Sequence, residues 1–319
     1  GNAPTPFAAC KSARSRKPPL KPGKRFGFMY IKSSENQGAE VEKVVIEHSL
    51  GSVEVPKNPK RVVVFDYGIL DILDTLGANV IGLPRDMVPE HLSKYSSDKY
   101  VNLGSLKEPN LEKIYEAKPD LIIIAGRQRD FYSSLSKVAP TIFVETSSTD
   151  YMKGLKTNID ILTKVFDNSQ MLNKKYAEIE SRVNSIKAKV EEKGYNAMVL
   201  LSNNGRIAAY GEKSRFSIFY DYLGFKTTGE VVASTHGNKV TFEYLLEKNP
   251  DYIYIVDKAA VVGDNLLANK AFDNPIVKST KAAQNGNIVF LNSVVWYTAS
   301  GGLKSTEIML DEVEKSVNK

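Results

Sequence analysis

At 319 residues, 42% hydrophobic and 25% charged, the chain has an ordinary globular composition with room for two domains, and it contains no run of the ~20 apolar residues that a membrane-spanning helix needs. Its net charge of +6 sits in one place: residues 1–40 hold eight Lys or Arg against two acids, leaving 35 bases and 35 acids in residues 41–319. A nucleic-acid-binding domain carries its positive excess on the folded part, because phosphate neutralisation supplies most of the affinity, so nucleic acid is not the expected partner.

Residues 1–40 are rich in Pro, Gly, Ser and Lys with little periodicity, and are expected to form a disordered basic leader or tag. They contain the sole cysteine, Cys10, which excludes an intrachain disulfide. "FAAC" has the small residues that precede a lipid-modified cysteine, although only nine residues come before it, too few for an apolar signal segment. From residue 41 the text "EKVVIEHSLGSVEVPKNPKRVVVFD" predicts a strand, a Gly51-Ser52 turn, a second strand and a buried strand over 61–66. A helix follows ("YGILDILDTLG", closed by Gly77), then the strand "NVIGL", a loop, and the segment "EKIYEAKPDLIIIA" at 112–125. This segment reads as a short helix stopped before proline and a strand buried on both faces, the signature of a parallel sheet covered by helices. A helix near "RDFYSSLSKVA" and the strand "TIFVE" complete the first set.

In "DNSQMLNKKYAEIESRVNSIKAKVEEKG", apolar or aromatic residues fall at Leu172, Tyr176, Ile179, Val183, Ile186 and Val190, with Gly194 as the stop. One amphipathic helix of about 25 residues would span roughly 37 Å, enough to brace two lobes. The series then restarts: "NAMVLLS", "RIAAYG", the helix "SRFSIFYDYLG", the segment "EYLLEKNPDYIYIV" at 243–256, and "NIVFL". The two helix-Pro-Asp-strand segments lie 131 positions apart, and the sets match in order, so two similarly built lobes are expected. The predicted layout is an α/β chain of two Rossmann-like lobes joined by one long helix: an N-terminal lobe over 41–165, the connecting helix over 166–194 and a C-terminal lobe over 195–319.

Two such lobes and the strings "PNLEKIYEAKPDLIIIAGRQ" and "TFEYLLEKNPDYIYIVD" resemble the helical-backbone (class III, periplasmic-binding-protein-like) substrate-binding proteins of ABC importers for iron siderophores and cobalamin. Within that group "VVVFDYGILDILDTLG", "GSLKEPNLEKI", "AYGEKSRF", "ASTHG" and "WYTASGGL" are most similar to Gram-positive lipoproteins that bind catecholate siderophores, petrobactin among them. The resemblance implies a monomeric, non-enzymatic carrier on the extracellular face of the cell membrane, lipid-anchored in the native protein. It implies no cofactor; the ligand is a ferric siderophore whose iron is held by the siderophore, with no metal ligand from the protein. In this family one glutamate on each lobe docks against arginines of the two permease subunits, and Glu112 and Glu243 match those positions.

A ferric catecholate is anionic and carries flat aromatic arms, so its receptor needs cations and aromatic faces on loops around an inter-lobe cleft. Arg127 and Lys258 each stand 15 positions after the repeated Glu, just beyond the repeated strands, and are expected to face that cleft together. Arg215 in "GEKSRF" matches a binding arginine of the catecholate receptors, and Arg85 sits where relatives have a basic residue; Arg129 and Lys213 are neighbouring substitutes. His236, Tyr297, Trp296 and Tyr67 complete the ligand-binding set, with Trp296 lining the cleft or plugging the core. Haem, cobalamin or a hydroxamate siderophore in the same fold is the first alternative, a two-lobe nucleotide-sugar enzyme the second, and a surface protein binding envelope polymers through its basic tail the third. Against the enzyme, neither "FDYGILD" nor "VVGDN" approaches a glycine-rich phosphate loop, no Ser-His-Asp or Cys-His set is apparent, and His48, His91 and His236 are too dispersed for a zinc site.

Overall fold

The computed structural model describes residues 40–145, 149–229, 237–262 and 266–319. A hairpin of β1 (Lys43–His48) and β2 (Gly51–Pro56) opens the described chain. The first lobe is built on β3 (Val62–Val64), β4 (Val80–Leu83), β5 (Val101–Asn102), β6 (Leu121–Ile124) and β7 (Thr141–Phe143), an all-parallel sheet in the order β5-β4-β3-β6-β7. Every residue of β3 and β6 is buried, as continuous apolar strands covered by helices must be. The second lobe has β8 (Ala197–Asn203), β9 (Arg206–Tyr210), β10 (Asn238–Val240), β11 (Tyr252–Asp257) and β12 (Ile288–Phe290), in the order β10-β9-β8-β11-β12.

The two sheets correspond strand for strand with one departure from the expected match. In the first lobe β3 reaches its parallel neighbour β4 through the helix Tyr67–Leu76, whereas β8 turns straight back into an antiparallel β9. The turn is Asn204-Gly205, both at positive φ (52° and 81°), the conformation a two-residue hairpin requires. A second difference is the helix Tyr151–Val165, absent from the sequence reading; it is started by Asp150, whose carboxylate accepts a hydrogen bond from the Lys153 N–H.

The Pro-Asp half of the repeat has a structural explanation. The helices Leu111–Ala117 and Phe242–Lys248 are started by Asn110 and Thr241 and end in left-handed residues, Lys118 (φ 51°) and Asn249 (φ 44°), each before a proline. The next residue then ties two strands together. Asp120 accepts from the N–H groups of Lys60 and Arg61, both at 2.8 Å, at the entry to β3; Asp251 accepts from Asn196 N–H at 2.9 Å, at the entry to β8. In each lobe the aspartate thus fixes the register of the strand beside its own.

Between the two sets of strands in the chain comes the helix Met171–Lys193, 23 residues or about 35 Å, which buries Leu172, Ile179, Val183, Ile186 and Val190 and closes at Gly194 (φ 65°). It packs on the final helix, Leu303–Val317, and Arg182 reaches across to Asp311. That final helix is anchored in the other lobe. Asp71, 2% exposed on the helix Tyr67–Leu76, accepts from the N–H groups of Lys304 (3.0 Å) and Ser305 (2.8 Å) and so serves as its cap. The fit leaves no room for a side chain at Gly302, where a Cβ would lie 2.5 Å from the Asp71 carboxylate. One hydrophobic core runs through this seam, joining Val62 and Leu70 of the first lobe to Ile186, Val199 and Val313.

Candidate functional site

Arg127 and Lys258 emerge where β6 and β11 end. After β6 the chain enters a tight helical turn, Gly126–Phe131, held by the buried Gln128, whose side chain accepts from Ala125 N–H and donates to the Leu106 carbonyl. Arg127, next to this anchor, is exposed. Lys258 opens the short helix Lys258–Val262 directly after β11. Arg215 comes from the bend between β9 and the short helix Ile218–Asp221, where Ser214 Oγ donates to the Gly211 carbonyl and accepts from Phe216 N–H. Tyr297 lies on the helix Ser293–Thr298 that follows β12.

These four residues meet. Arg127 Nη2 and Arg215 Nη2 each donate to the main-chain carbonyl of Tyr297 at 2.8 Å. The Arg215 guanidinium lies 4.5 Å from the centre of the Tyr297 ring, that of Arg127 5.7 Å and Lys258 Nζ 5.9 Å. Two lobes therefore deliver three cations to one tyrosine. Among the described residues none of the three has a carboxylate partner in an ion pair. The repulsion is felt: burial first, and then the charge of Arg127, lowers the proton affinity of Arg215, which remains a cation at any physiological pH. A partly buried cluster of cations of this kind is complementary to a ligand carrying several negative charges.

Beside the cluster opens a pocket of about 720 Å³, within the size range of small-molecule sites. Met87, Val88 and Glu90 of the first lobe and Val261, Asn292 and Val294 of the second are among its walls, so it lies between the lobes. The three cations are not in its lining; the helices Lys258–Val262 and Ser293–Thr298 contribute to both regions.

Other expected ligand contacts fall elsewhere. Trp296 is 2% exposed, stacks on Phe219 at 5.1 Å and donates from Nε1 to Glu312 at 3.0 Å; it is a core residue and is removed from the cleft surface. Burial raises the pKa of the Glu312 carboxyl that receives this bond. Tyr67 is likewise buried, at 1% exposure, with its hydroxyl donating to the Pro84 carbonyl and burial pushing its pKa far up, so it backs the wall without presenting a ring to the cleft. Arg85 spends its guanidinium on the Tyr100 carbonyl at 2.8 Å and does not join the cluster. Arg129 lies over the Phe143 ring. His236 lies outside the described residues. One residue beside the site that the sequence reading missed is Tyr210, buried and edge-on to Phe216, the neighbour of Arg215; its place at the end of "RIAAY", five residues before Arg215, was the available signal.

Glu112 and Glu243 are exposed in the first turns of the helices Leu111–Ala117 and Phe242–Lys248. Each helix leads into its strand through a tight turn and so runs back along it, which puts the glutamates toward the same ends of β6 and β11 as Arg127 and Lys258. Among the described residues no group of three or more His, Cys, Asp or Glu could hold a metal ion, and no helix is long and apolar enough to cross a membrane.

A model of the periplasmic binding protein family matches residues 62–295. The petrobactin-binding protein YclQ of Bacillus subtilis is 38% identical over 292 residues, 90% of this chain and 92% of the relative. Its crystal structure superposes with a TM-score of 0.84, covering 87% of this chain and 99% of that one. The ferric-anguibactin-binding protein FatB of Vibrio anguillarum is 34% identical over 85% of this chain and 87% of its own length. The crystal structure of the periplasmic catecholate-siderophore binding protein VctP of Vibrio cholerae is 37% identical with a TM-score of 0.80, covering 86% of this chain and all of that one. All three are described as binding proteins. The family match over most of the chain and the identity to these relatives show that the chain belongs to the periplasmic binding protein family.

Proposed function

We propose that this chain is the substrate-binding component of an ABC importer, capturing a ferric catecholate siderophore of the petrobactin type between its lobes and delivering it to a permease. The observation that carries the reading is the convergence of Arg127, Arg215 and Lys258 on Tyr297 with no ion-paired carboxylate among the described residues to neutralise them. The iron is cargo, wrapped by the siderophore's own oxygens, so the protein supplies hydrogen-bond donors and ring faces rather than metal ligands. Guanidinium groups donate to the catecholate oxygens in the plane of their fork, Lys258 adds a mobile point charge, and Tyr297 offers a face for an aromatic arm. The chain acts as a monomer at the outer face of the cell membrane, held there by a lipid anchor in its native form. Glu112 and Glu243, one per lobe, meet arginines on the two permease subunits, where exposed charges set encounter and register more than affinity.

Titrating ferric petrobactin, ferrichrome, haem and cobalamin against the protein, read by quenching of Trp296 beside the site, tests the reading. Ferric petrobactin should bind tightest by a wide margin. Preference for haem, cobalamin or the hydroxamate would overturn it.

A further inference from the structure

The repeated helices share more than their glutamates. Three positions after Glu112 stands Tyr115, 71% exposed, and three after Glu243 stands Leu246, 37% exposed. One position further on, each helix carries a second exposed acid, Glu116 and Glu247. Residues at i, i+3 and i+4 share one helix face, so each lobe displays acid, large apolar, acid as one outward patch, while Ile114 and Leu245 turn into the core. A single exposed tyrosine or leucine needs no explanation. Two at the same register of a repeat do. The neighbouring bases are not repeated: Lys113 corresponds to Tyr244 and Lys118 to Asn249.

We propose that Tyr115 and Leu246 are apolar plugs that seat in two matching sockets on the permease, one in each subunit, each socket having an apolar floor and a cationic rim. The inference rests on the importer reading and deepens it: the acids meet the rim, and the buried plug supplies affinity that salt does not screen. The related but unlike plugs, a tyrosine and a leucine, fit a partner whose two halves are similar without requiring them to be identical.

The test measures binding of the full-length, ferric-petrobactin-loaded protein to the purified permease in lipid nanodiscs, at low and high salt. The Tyr115→Ser/Leu246→Ser pair should weaken binding by roughly tenfold or more at both salt concentrations, with ferric petrobactin binding in the cleft unchanged. The Tyr115→Phe/Leu246→Met pair, which keeps the apolar area, should bind like wild type. Wild-type affinity in the serine pair, alongside loss in Glu112→Arg/Glu243→Arg, would overturn the plugs and leave the docking glutamates standing. Wild-type affinity in both pairs would overturn the plugs and the docking reading together. An equal loss in the serine and the Phe/Met pairs would also overturn an apolar contact.

Discussion

Arg215 carries the most constrained charge of the cluster. It is half-buried, bonded to the Tyr297 carbonyl, and near the rings of both Phe216, at 5.1 Å, and Tyr297, at 4.5 Å. Arg215→Ala should therefore weaken ferric-siderophore binding by about 1.5–3 kcal/mol, the scale of a charged hydrogen bond, measured by fluorescence titration. Arg215→Lys should recover only part of this, since an ammonium lacks the planar fork. The adjacent pair Trp296 and Tyr297 separates binding from stability. Successive residues on a helix point about 100° apart, so one can face the cleft and the other the core. Trp296→Ala should cost about 3–5 kcal/mol in chemical denaturation, whereas Tyr297→Leu should leave stability nearly unchanged and reduce binding. The sequence favours Tyr297 for ligand contact but leaves Trp296 open between cleft and core; that is decided by Phe219 and Glu312, residues distant in the chain that receive the indole. Arg127 and Lys258 were legible because a repeat fixes equivalent positions, and the equal offset of 15 from each glutamate held in three dimensions.

The elements themselves were legible wherever a period and a stop signal coincided, as in the helix Tyr67–Leu76 ending at Gly77 and the long helix ending at Gly194. The helix Tyr151–Val165 escaped because Gly154 lowers its helix propensity and Asn158, polar but buried, interrupts its apolar stripe. The turn at Asn204-Gly205 carries a strong hairpin signal, and it reverses β9 while the strand order stays that of the first lobe, so the repeat predicts the order but not the direction. The Pro-Asp junction makes a testable claim at this scale. Asp120→Ala and Asp251→Ala each free main-chain N–H groups at the entry of a central strand, and each should lower stability by roughly 1–2 kcal/mol in a denaturant melt. Gly302→Ala drives a methyl group into the Asp71 carboxylate and should lower the melting temperature, while an alanine at the unobstructed Gly205 would act only through its positive φ.

At the scale of the whole molecule, the long helix, the final helix capped by Asp71 and one continuous core tie the lobes together. Such a seam resists wide hinge opening, so ligand capture should involve small lobe movements; small-angle scattering curves with and without ferric petrobactin should nearly coincide. Charge reversal at both Glu112 and Glu243 should abolish ferric-petrobactin uptake by whole cells with cleft binding intact. Three cations acting as one anion receptor assembled from both lobes are the centre of the proposed function. Titrating ferric petrobactin into the folded Arg127→Ala/Arg215→Ala/Lys258→Ala protein tests this directly. The expected result is a loss of affinity on the order of a thousandfold or more, less than the sum of the single effects because the three share one partner; affinity within a few-fold of wild type would contradict the account.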